Sequence, residues 1–170
     1  MNQHKVKFVI AVFVLFLFVV AESLGQDEEE PKDLAPPAPK ILTEGDKKQI
    51  DSAGNIRKQA QLALLLMEEK LKEAEVAAGR QDYRNVLNVL GNYHALLDYS
   101  LEILIESTKK DKKAFRALKD FEISLRQHTH RLELVRRQTP YSYGWHVQKL
   151  IRVVRQARAR AVEPMYGDAI

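Results

Sequence analysis

The chain has 170 residues, with 27 Lys and Arg against 23 Asp and Glu, a formal charge of +4 and no cysteine. The missing cysteines exclude disulfides, thiolate nucleophiles, haem attachment and zinc-finger sites, so stability must come from packing and helix propensity. Such a length supports one modest domain around a single core.

Lys5 and Lys7 give a basic start, and Phe8 to Ala21 is an unbroken apolar run of fourteen residues. As a helix that run rises about 21 Å, short of the roughly 30 Å hydrocarbon core. Ser23 and Gly25 are small enough for a signal peptidase, so residues 1–25 read as a signal peptide cut between Gly25 and Gln26. The expected location is therefore outside the cytoplasm, periplasmic or secreted, with no membrane span after cleavage. The alternative is a membrane tether, the uncleaved segment sitting in a thinned bilayer with its lysines snorkelling. No Asn is followed two positions later by Ser or Thr, so no N-glycosylation acceptor is present.

Residues 26–42 form an acidic, proline-rich linker, with Asp27, Glu28, Glu29 and Glu30 ahead of Pro31, Pro36, Pro37 and Pro39. Such a composition cannot bury a core and is expected to be extended or disordered. A helical bundle is expected over residues 43–163. Thr43, with Asp46 three residues on, is an acidic variant of the capping box. Ala53, Ile56, Ala60, Ala63, Met67, Leu71, Ala74 and Ala78 then recur at helical spacing, which predicts one long helix of roughly 50 Å. Gly54 weakens its first turns, and Gly79 is expected to end it as a left-handed cap.

Asp82 opens the second helix, whose stripe is Tyr83, Val86, Leu90, Tyr93, Leu97, Leu101 and Leu104. Gly91 in its middle either admits another helix closely or marks a bend. Around Ala78 to Tyr83 the joint resembles the turn between tetratricopeptide units. The next opening, Asp111 to Phe115, lacks the glycine and misses the repeat of about 34 residues, so the joint is taken as an ordinary helix–turn–helix. A break is expected at Ser107 to Asp111, with Thr108 capping a third helix; a continuous rod is the competing reading. That helix carries Phe115, Leu118, Phe121, Leu125, Leu132 and Val135 until Pro140 disfavours helical geometry at Thr139. Thr139 then caps a fourth helix with Pro140 in its first position, burying Val147, Leu150, Ile151, Val154, Ala157 and Ala161. Pro164 and Gly167 should end it, leaving 164–170 as a frayed tail. The fold class is all-α: an antiparallel bundle of about four helices, coiled-coil-like in its packing.

His94, His128, His130 and His146 are the candidate metal ligands, but no Glu-x-x-His occurs, and the nearest pattern is His130-x-x-Glu133. Hydrolase and phosphate-loop motifs are absent. Glu68, Glu69, Glu73 and Glu75, interleaved with Lys70 and Lys72, read as a solvated face. No enzyme activity and no cofactor are expected.

Charge is the strongest functional cue. Residues 26–108 hold ten Lys/Arg and sixteen Asp/Glu, whereas residues 109–170 hold fifteen and six. Lys149, Arg152, Arg155 and Arg158 fan across the polar side of the last helix, and Arg136 and Arg137 extend the positive character upstream. Tyr141, Tyr143 and Trp145 lie between, either as a plug at the bundle end or as a ligand platform. These six basic residues are the candidate partner-binding site. Their expected partner is an anionic protein, a lipid head group or a polysaccharide, with nucleic acid demoted by export. The expected role is an exported, non-enzymatic binding or scaffold protein of the cell envelope. Two alternatives stand beside it: homo-oligomerisation, since Leu62, Leu64, Leu65 and Leu66 exceed one stripe, and a metal-binding protein built on His128, His130 and Glu133.

Overall fold

In the computed structural model, which describes residues 32–166, five α-helices follow one another, with no strand among the described residues. They are α1 (Glu44–Ser52), α2 (Ile56–Gly79), α3 (Tyr83–Thr108), α4 (Lys113–Gln138) and α5 (Tyr141–Tyr166). The expected signal peptide, the start of the linker and residues 167–170 lie outside the described residues.

The four long helices form the expected all-α bundle, each antiparallel to the one before it. α2 packs on α3 and α4, while α5 packs on α4 and α3. Tyr83 and Tyr143, each in the first turn of its helix, meet at 5.7 Å between ring centres, so α3 and α5 run side by side in the same direction. The apolar stripes of α3 and α5 are buried as read, apart from the half-buried Tyr83. In α4 the buried series begins at Ala114, Ala117 and Leu118, and Phe115 is only half-buried.

The helix ends show where local chemistry departs from the sequence reading. The long first helix is two: Ala53 turns extended, and Asn55 starts α2 afresh by accepting the Lys58 N–H at 3.0 Å. An Asn side chain competes for backbone donors and so favours a cap over a helix interior. At the far end of α2, Gly79 stays helical and Gln81 takes the left-handed conformation, φ 60°. Asp82 N–H reaches Ala77 O and Gln81 N–H reaches Ala78 O, both at 3.0 Å, which is the Schellman pattern with Gln81 in the seat glycine usually fills. Asp82 then caps α3 by accepting the Asn85 N–H.

The break between α3 and α4 is a turn, not a continuous rod. Thr108 is the last residue of α3, its hydroxyl donating to Ile105 O, so it does not cap α4; Asp111 accepts the Lys113 N–H instead. Thr139 likewise bonds backward, donating to Val135 O and Arg136 O, and closes α4 without capping α5. α5 runs on through Pro164 to Tyr166. A proline in the last turn removes its own amide bond, but only two further described residues depend on the helix beyond it.

The proline-rich segment differs most from expectation. Residues 33–42 carry no regular secondary structure, yet they lie as a strap along the seam of α3 and α5. Ala35 is buried; its N–H donates to Ser142 O at 3.3 Å, and its carbonyl lies 2.6 Å from His146 Nε2. Lys40 pairs with Asp98 at 3.2 Å, and Ala38 and Leu42 pack against the core. Gly91 is explained here: a Cβ on it would meet the Pro39 carbonyl oxygen at 2.4 Å. The close approach is by the strap, not by another helix. Prolines lose little further freedom on docking, so a composition that reads as disordered is also one that orders at low entropic cost.

Candidate functional site

The six predicted basic residues fall on the end of α4 and along α5, and most are engaged within the molecule. Glu133 of α4 is shared by Arg136 at 2.8 Å and Arg155 at 3.3 Å. Glu122, about three turns earlier on α4 and only 5 % exposed, is shared by Arg126 at 2.9 Å and Arg158 at 3.0 Å. The Arg126 hydrogen bond holds the Glu122 carboxyl below the usual carboxylate range against the opposing effect of burial, and Arg158 adds to the hold. Lys149 and Arg152 flank the Trp145 ring, 5.5 and 5.6 Å from its centre, and neither stands free. Arg137 is exposed.

The seam therefore has two carboxylates serving four guanidinium groups. Among the described residues these guanidinium groups outnumber their carboxylates, and Arg137, Lys149, Arg152 and Arg160 lie exposed around them. The acidic α2 does not cancel the excess, because Glu68 and Glu75 pair with Arg131 of α4.

The three aromatics divide. Trp145 is buried, Tyr143 is half-buried against Tyr83, and Tyr141 is exposed at 6.5 Å from Trp145. They close the bundle end at Trp145 and Tyr143, and only Tyr141 is presented outward. The indole N–H of Trp145 is buried without a hydrogen-bond partner among the described residues.

Sequence reasoning missed a second constellation, a polar chain through the middle of the bundle. The Tyr93 hydroxyl lies 3.1 Å from His128 Nδ1, and His128 Nε2 lies 3.6 Å from a Glu68 oxygen. Glu68 in turn pairs with Arg131, whose guanidinium also grips Glu75 at 2.6 Å. With a carboxylate facing Nε2, the imidazole proton belongs there and Tyr93 donates to Nδ1. Burial pushes the Tyr93 phenol well above its ordinary value, with the Glu68 carboxylate adding to it. His128 is driven down to about 4, first by burial; Glu68 resists the shift and Arg131 reinforces it. The Glu75 hydrogen bond raises Arg131, so this guanidinium stays charged.

The signal that could have found this chain is positional. Glu68 and Glu75 are seven residues apart and share one flank of α2, turned towards α4, whereas Glu69 and Glu73 are exposed. Only half of the supposed solvated face is solvated. His128 and His130 diverge, one buried and the other exposed, and among the described residues no group of three His, Asp or Glu side chains converges as a metal site. No helix among the described residues is long and apolar enough to cross a membrane. The chain matches no protein-family model, no curated protein and no solved structure.

Proposed function

We propose that this protein is an exported, non-enzymatic binding module of the cell envelope whose α4–α5 face meets an anionic partner. The carrying observation is the two-to-one excess of arginine over carboxylate at the Glu122 and Glu133 seam. Arg136, Arg155 and Arg158 are half-committed to those carboxylates and brace the face; Arg137 is its exposed contact, and Lys149 and Arg152, already engaged at Trp145, add positive field beside it. Long-range attraction brings the partner in, and guanidinium groups then make charge-assisted bonds to its phosphates or carboxylates. The basic start and short apolar run at residues 1–25 support export.

Retention on three immobilised polyanions tests this: phosphatidylglycerol vesicles, polygalacturonate and an acidic peptide. The full chain should be held by at least one at low salt and released by about 0.5 M salt, where screening is nearly complete. The variant Arg137→Glu/Lys149→Glu/Arg152→Glu should not be held. Retention of both chains alike, or of neither, overturns the reading.

Self-association is the second reading. Leu65 and Val76 on α2 are each more than half exposed, at 54 % and 53 %. They lie eleven residues apart, three turns along one face with the exposed Glu69 and Lys72 between them, as two apolar points the bundle leaves uncovered.

A further inference from the structure

The strap does not fill the seam it covers. Beneath and beside it remains a cavity of about 240 Å³, walled by Leu87 and Leu90 of α3 and Val147, Leu150 and Val153 of α5. The strap residues at its edge are Pro37, Ala38 and Lys40, and the side chain of Ala38 is a single methyl. Elsewhere the fit is specific. A backbone carbonyl sits where only a glycine permits it, at Gly91. Ala35 donates its N–H and offers its carbonyl to the first turns of α5. Lys40 answers Asp98 across a pair in which both side chains are about half exposed, 52 % and 50 %. In the recognition of extended peptides, main-chain hydrogen bonds give affinity and side-chain pockets give specificity.

We propose that the α3–α5 seam is a binding site for an extended, proline-rich segment of a partner protein, and that residues 35–40 are its resident intramolecular ligand. The strap shows the chemistry of the occupant: a short run of prolines and small residues with a basic residue at its end. The cavity shows how a partner outcompetes the strap, by placing a large aliphatic side chain where Ala38 leaves space. Being tethered, the strap competes at an effective concentration on the order of millimolar, so the site is closed to weak ligands and opens to better-filling ones. Lys149 borders both this cavity and the proposed anionic face, but the peptide site does not depend on the anionic reading.

Two fluorescent peptides test the proposal, one with the sequence of residues 33–42 and one carrying Ala38→Leu. On the full-length chain the second peptide should bind at least about tenfold more tightly than the first, which the tethered copy excludes. Full-length chain carrying Ala35→Asp/Pro39→Asp, its own strap expelled, should bind the first peptide at least about tenfold more tightly than the unaltered chain. Adding Gly91→Ala to that variant should remove the gain, since the new methyl occupies the position of the Pro39 carbonyl. Circular dichroism reports whether the strap variants fold. If they do not, hydrogen exchange on the unaltered chain decides: saturating Ala38→Leu peptide should expose the Ala35 amide. Equal affinity for both peptides with Ala35 still protected overturns the proposal, as does unchanged binding after Gly91→Ala in a folded strap variant.

Discussion

Protonating His128 inside the fold places a second cation beside Arg131, against a phenol that then loses its acceptor. The folded value of about 4 lies below the ordinary 6.5, so the unfolded chain takes up this proton first. The contribution to stability is complete above about pH 6.5 and is lost as the pH falls towards 4. The expected loss is about 2–3 kcal/mol between pH 7 and pH 4, read from urea melts against pH. The paired replacement Tyr93→Phe/His128→Leu should flatten that part of the slope, and a slope unchanged by it would refute the assignment. Sequence placed Tyr93 on its apolar stripe correctly and offered His128 as a candidate metal ligand. It could not join them to Glu68 and Arg131, because these residues come from three helices whose mutual register no single stripe encodes.

At the scale of the element, caps were harder to read than stripes. The α5 stripe is legible residue for residue, since burial of one face enforces helical spacing across the whole segment. Helix ends answer to single side chains with several possible partners. Thr108 and Thr139 look like N-caps and instead bond backward into the helix just finished. The Schellman turn fell two residues beyond Gly79, on Gln81. A left-handed glutamine costs about 1–2 kcal/mol that glycine avoids, less glycine's extra entropy when unfolded. Gln81→Gly should therefore raise stability by about 0.5–1 kcal/mol, visible as a higher melting temperature; a lower one would mean that the Gln81 side chain contributes an unseen contact.

For the whole molecule, the uneven charge was legible and its internal use was not. Counting residues shows a basic C-terminal part, but only the packing reveals that α4 supplies the acids for α5 and that α2 spends its own on Arg131. The strap was illegible for a different reason: composition reports what a segment cannot do alone, not what a neighbouring groove can do with it. Uncovered leucine and valine on α2 lead to a separate expectation. If copies associate there, light scattering at tens of micromolar should give a dimer indifferent to salt, and Leu65→Glu/Val76→Glu should give a monomer. A dimer that salt dissolves would instead point to acidic and basic regions meeting.

Ala35 and His146 stand 111 positions apart, which makes their meeting a matter of timing during synthesis. The beginning of the domain leaves the ribosome first, yet its berth is incomplete until the final helix has emerged and folded back. Until α5 arrives this stretch has only its α3 contacts, Pro39 at Gly91 and Lys40 with Asp98, and a chain truncated before α5 never forms the Ala35 bonds. In refolding followed by pulse labelling, the Ala35 amide should gain protection only in the slowest phase, as a mark that both hairpins have already come together.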